Sequence, residues 1–130
     1  MNTSSIMNQY KTVGTESAID VANPHRLIAM LFTGAKSKIA VARAALDRDD
    51  PAAKGEALSK ALGIIQYLRA SLDPGIDAEF SARLAELYTY MELRLTEANI
   101  QNDSEKLREV HDLLSEIEEG WNGIPEEYRA

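Results

Sequence analysis

Two histidines, His25 and His111, are the first residues to test for chemistry. A di-iron site in a helical protein needs Glu-x-x-His on two helices plus further inward carboxylates. Here the residues three before the histidines are Ala22 and Arg108, so composition excludes that centre. Phosphotransfer needs one exposed histidine on a helix. His111 stands between Glu109 and Asp112, whose charge would repel an incoming phosphoryl group, and a surface histidine without a catalytic role is the stronger reading. His25 directly follows Pro24 in the first turn of a helix, where the dipole disfavours a charged ring. That position suits a packing or capping residue. The acidic pairs Asp49-Asp50, Glu118-Glu119 and Glu126-Glu127 fall in turns or near chain ends, as solvated charge. The seven glycines are scattered, which leaves no phosphate loop, and the lack of cysteine excludes disulfides and thiolate metal ligands. No hydroxyl has a histidine and a carboxylate in recognisable context. The expectation is a protein that is not an enzyme, with no catalytic residue, cofactor or metal.

The elements that carry these residues are helices. Asn23-Pro24 and Asp50-Pro51 each read as an N-cap followed by proline at the first helical position, where its missing N–H costs nothing. The turn 73–77, Asp-Pro-Gly-Ile-Asp, ends a second helix and starts a third, and Asn102 with Glu105 reads as a capping box for a fourth. Gly120, Gly123 and Pro125 close the helical part. A three–four apolar repeat runs through each interval: Ile28, Phe32, Ala35, Ile39, Ala42 and Leu46; then Leu58, Ala61, Ile65, Leu68 and Leu72; then Phe80, Leu84, Leu87, Met91, Leu95 and Ala98, with Tyr88 on the flank; then Leu107, Val110, Leu114, Ile117 and Trp121. Short connections between helices of about 20 residues predict an all-α, up-down antiparallel four-helix bundle. It occupies residues 23–122 of a single domain, between an N-terminal arm, 1–22, and a tail, 123–130. In the arm, Ile6, Tyr10 and Val13 share one face of a short helix, with Met7 beside it. Such a segment is unstable alone, so it is either mobile or docked.

Composition narrows the partners. A net charge of −7 argues against nucleic acid and anionic lipid, both of which need clustered Lys and Arg. No apolar run approaches the roughly 18 residues of a membrane span, and no secretory signal is visible, so a cytosolic protein is expected. Charge is unevenly placed. Arg26, Lys36, Lys38, Arg43 and Arg48 face only Asp47 within residues 24–48, whereas Lys106 and Arg108 face seven carboxylates within residues 103–121. If the first and last helices are neighbours, this asymmetry helps to pair them.

The first helix is too apolar for its core alone. Leu27, Ile28, Met30, Leu31, Phe32, Ile39, Val41 and Leu46 cover roughly 200°, against about 100° for an amphipathic surface helix. Leu27, Met30, Gly34 and Val41 lie off the Ile28/Phe32/Ile39 seam, with Lys38 among them. Leu62 and Tyr67 lie off the second seam, and Tyr90 and Leu93 off the third. Several such residues together suggest grooves for an amphipathic partner segment. A broad core or a homodimer would absorb the same residues.

The chain resembles the flagellar secretion chaperone (FliS) family from about Tyr10 to Trp121. The likeness is carried by residues 22–35, Ala-Asn-Pro-His-Arg-Leu-Ile-Ala-Met-Leu-Phe-Thr-Gly-Ala; by residues 53–61 with Ile64-Ile65; by Ser71-Leu72-Asp73; by Leu87-Tyr88-Thr89-Tyr90-Met91 with Arg94-Leu95 and Ala98-Asn99; and by Asn102-Asp103 through Val110 and Leu113-Leu114 to Trp121. The resemblance implies a four-helix bundle that takes the C-terminal region of flagellin, disordered when free, along apolar grooves. It would prevent premature assembly in the cytosol and present the subunit to the flagellar export gate. Leu27, Met30, Val41, Leu62, Tyr90 and Leu93 are the expected groove residues. Ile6, Met7 and Tyr10 match the family's arm, which lies against the bundle, gives way to flagellin and is linked to export-gate docking. The chain departs from the family at Thr33, often acidic there, and at Thr89, commonly Asp. It also has a short 73–77 turn, with Asp77-Ala78-Glu79-Phe80 in place of the usual Gly-Gly-Glu-Ile.

Overall fold

A computed structural model describes residues 23–75 and 77–125. Four helices follow in order: α1 (Pro24–Asp47), α2 (Pro51–Ala70), α3 (Ala78–Gln101) and α4 (Ser104–Asn122). Among the described residues there is no strand. Each N-terminus is held by a side-chain cap. Asn23 accepts the Arg26 N–H at 3.2 Å, Asp50 that of Ala53 at 3.1 Å, and Asp77 that of Phe80 at 3.0 Å. The fourth cap departs from the sequence expectation. Asn102 is the left-handed residue (φ 54°) that ends α3, so α4 starts later, and Asp103 accepts the N–H groups of Glu105 and Lys106 at 3.0 and 3.3 Å. Asn102 and Asp103 both direct their N–H groups to the Ala98 carbonyl, which closes α3 as a Schellman-type end.

These short connections force antiparallel neighbours. Each helix packs against the one before and the one after, and α4 packs against α1; α1 and α3 lie across the diagonal, as do α2 and α4. The result is the up-down four-helix bundle. α1 and α2 make the most extensive contact, and both bury alanines (Ala35, Ala42, Ala57, Ala61) that let helix backbones approach closely. Phe32, Leu31, Ile39, Ile65, Leu68, Met91, Leu95, Leu107, Val110 and Leu114 fill the centre.

Tyr67, expected off the second seam, is buried, and so is the flank residue Tyr88. Phe80, expected in the core, is 59% exposed. The reason is length. α3 has 24 residues against 20 in α2 and 19 in α4, and its C-terminal end is fixed by the two-residue connection to α4. Its first turn, roughly 6 Å, therefore overhangs the facing helices.

Both ends of the bundle carry polar fasteners. At one end the rings of His25 and Trp121 stack with centroids 4.8 Å apart and planes within 10°. Each also donates to the other's backbone: His25 Nε2–H to the Trp121 carbonyl and Trp121 Nε1–H to the His25 carbonyl, both at 2.9 Å. At the other end the buried Lys54 ammonium donates to the Asn99 carbonyl at 3.0 Å and to Asn102 Oδ1. A cation here meets the negative end of the α3 dipole. Along the α1–α4 contact the opposite charges meet at Lys36–Glu118, 2.8 Å, with Thr33 Oγ1 donating to the same carboxylate at 3.1 Å.

Two outcomes are expected. Replacing Asn102 by Ala puts a Cβ-bearing residue without a polar side chain in the left-handed region and strips Lys54 of a partner; the loss should be about 2 kcal/mol in chemical denaturation. Asn102→Gly loses only the Lys54 contact and should retain about half of that. Burial raises the Tyr88 phenol from 10.0 to about 12. A raised folded value gives stability that is complete below the unfolded value and is lost as pH rises through the folded one. Wild type should therefore weaken between about pH 10 and 12, and Tyr88→Phe should flatten that part of the profile.

Candidate functional site

No three His, Cys, Asp or Glu side chains converge as a metal site among the described residues. His25 has Nε2 engaged with a carbonyl of α4, and half-exposed His111 lies 3.4 Å from Asp112 on the acidic helix. Neither histidine faces a cleft with a partner base. What the surface offers is apolar area.

The six expected groove residues fall on three helices. On α1, Leu27 and Met30 are half-buried and Val41 is 44% exposed; Leu27 also packs against the core cluster. Gly34 and Lys38, both half-buried, occupy the same flank. Leu62 on α2 is likewise half-buried against the core. On α3, Tyr90 is 38% and Leu93 57% exposed. Since α1 and α3 do not touch, their apolar residues form two separate surfaces, with α2 and α4 between them. The residues do not line one groove.

Ile100, 77% exposed, was missed by the sequence reading. It stands seven residues after Leu93, and Thr89, Leu93, Thr96 and Ile100 share a four–three–four spacing along the outer face of α3, all exposed. Thr96 returns its hydroxyl to the Glu92 carbonyl at 3.0 Å, which leaves its methyl group on that face. The signal was present as a second repeat in the helix, half a turn from the core repeat.

Tyr90 is fixed rather than free. Its hydroxyl donates to Glu109 Oε2 at 2.7 Å, and Arg94 lies over its ring at 5.5 Å while donating to Glu109 Oε1 at 2.7 Å. Those two donors hold the Glu109 carboxyl below its ordinary range, and the same hydrogen bond raises the Tyr90 phenol. Tyr90 therefore presents its ring in a set orientation, with little rotamer freedom left to lose. At Thr33, a family position often acidic, a carboxylate would face Glu118 instead of donating to it. Ile6, Met7 and Tyr10 lie outside the described residues.

Burial separates the candidates by what they cost to change. Leu27→Ala and Leu62→Ala should each lower stability by about 1–3 kcal/mol, since both side chains pack on the core. Val41→Asp and Leu93→Asp should stay within about 0.5 kcal/mol of wild type. Urea denaturation of the four variants checks this division.

Comparison with known proteins fits the bundle. The family model described as flagellar protein FliS matches residues 6–128. A flagellar secretion chaperone FliS of Salmonella typhimurium is 48% identical over 125 residues, covering 95% of this chain and 93% of that protein. The flagellar secretion chaperone FliSB of Pseudomonas aeruginosa is 45% identical over 91% of this chain and 94% of its own length. The FliS of Bacillus subtilis is 37% identical over 89% of this chain and 85% of its own. The match includes all four helices. The chain belongs to the FliS family of flagellar proteins.

Proposed function

We propose that this protein is a cytosolic export chaperone that holds the C-terminal region of flagellin, keeps it from polymerising and delivers it to the flagellar type III export gate. The observation that carries the reading is the placement of apolar surface on the diagonal helices α1 and α3, in a chain whose relatives are named flagellar secretion chaperones. An occupant that reaches both surfaces must pass around α2 or α4, a path of about 20 Å at a helix diameter near 10 Å. A compact folded domain fits that path poorly; an extended segment with spaced apolar side chains fits it well.

The energetics set what such a segment must contain. Ordering a flexible chain costs about 1–2 kcal/mol per residue, and burying one large apolar side chain returns about 1.5–3 kcal/mol. The cargo must therefore be dense in apolar residues, as a segment destined to pack in a filament core would be. Covering those residues blocks their mutual association without any catalysed step. The arm residues Ile6, Met7 and Tyr10 are proposed, from the family resemblance, to serve docking at the export gate.

Titration with a purified C-terminal flagellin fragment tests the reading. Val41→Asp and Leu93→Asp should each weaken binding at least about tenfold, the scale expected for a charge placed in an apolar contact, with an unchanged helical circular dichroism signal. Wild-type affinity in both variants would show that the cargo surface lies elsewhere.

A further inference from the structure

Among the described residues, one half-buried cation of α1 has neither an ion pair nor a hydrogen bond. From Arg48 to Arg108, every lysine and arginine except Lys54 reaches a carboxylate within 4.0 Å. Lys54 is satisfied by Asn99 and Asn102. On α1, Lys36 holds Glu118 and Arg43 donates to Ser104. Arg26 is exposed to water. Lys38 is half-buried and, among the described residues, has neither a hydrogen bond nor an ion pair.

Its position gives this consequence. Lys38 lies four residues after Gly34 and three before Val41, so its stem runs over the flank assigned above to cargo. Where no described residue supplies an acceptor, hydration is what satisfies its ammonium. An apolar segment laid on that flank would remove part of this hydration, and an ammonium desolvated without a partner is costly. A carboxylate at the facing position removes the cost and adds a charge-assisted hydrogen bond. The residue would then discriminate between cargoes by penalising those without the acid.

We infer that Lys38 is a specificity-determining residue of the α1 flank, selecting an apolar cargo segment that carries a carboxylate opposite the gap between Gly34 and Val41. The inference rests on the assignment of this flank to cargo. A second copy of this chain is the poorer occupant. It brings the same −7 charge to the encounter, and its most acidic helix, α4, offers charge rather than apolar side chains on its outer face.

The test measures affinity of the flagellin C-terminal fragment for wild type and for Lys38→Met, Lys38→Glu and Lys38→Arg, with Arg108→Gln on the outer face of α4 as a charge control. Lys38→Met keeps the stem and should retain the fold, yet binding should fall about tenfold, the scale of one charge-assisted contact. Lys38→Glu should bind more weakly still, while Lys38→Arg and Arg108→Gln should stay within about threefold of wild type. Between about 50 and 500 mM salt, the salt dependence of affinity should be shallower for Lys38→Met than for wild type. Replacing the fragment's acids one at a time by the matching amides should find one whose loss costs nothing further in Lys38→Met. Equal or tighter binding by Lys38→Met would overturn the role of Lys38 and leave the cargo site standing. Failure of wild type to bind the fragment would remove the cargo assignment itself. A dimer seen by sedimentation that dissociates on Lys38→Glu would give the flank to a second copy and also overturn the inference.

Discussion

A helix in a square bundle meets two neighbours, and the third is out of reach across the diagonal. That geometric constraint governs most of what this structure shows. Each helix can bury one broad face, and apolar residues beyond that face must lie outside. α2 turns its surplus inward, so that even Tyr67 is buried. α1 and α3 do not: Val41 on one and Leu93 and Ile100 on the other remain on the surface. Because these two helices are diagonal partners, the protein cannot cover one surplus with the other. Something else must cover both, or they stay wet.

The same constraint orders the electrostatics. Carboxylates also tie adjacent helices together. Glu118 binds α1, Glu92 binds Arg69 of α2, and Glu109 gathers Tyr90 and Arg94 of α3. Partly exposed pairs of this kind contribute little to stability individually, but they set which flanks meet. α1 is the exception: among the described residues only Lys36 of its cations meets a carboxylate, Glu118 of α4.

Helices, caps and most of the core were legible because their signals are local. Asn23-Pro24 and Asp50-Pro51 can be read within five residues, and the apolar repeats need only one helix at a time. Asn102 and Asp103 were not separable, because either side chain can cap; only the left-handed backbone at Asn102 decides, and that follows from how α3 ends. Phe80 keeps perfect register with Leu84 and Leu87, yet register says nothing about whether a facing helix extends that far. The reciprocal contacts of His25 and Trp121 join residues 96 apart and leave no trace in either neighbourhood. Surface candidates fared according to arc width. Val41 and Leu93, far from their seams, are exposed, while Leu27 and Leu62, nearer to theirs, are shared with the core.

An even number of antiparallel helices returns the chain to the side from which it set out, and the His25–Trp121 stack marks that return. The N-terminus of α1 and the C-terminus of α4 thus share a single pole of the molecule, while the apolar flanks of α1 and α3 run along its sides. Polarity of this sort sets the two ends of the described chain apart from the long walls on which Val41, Leu93 and Ile100 lie exposed.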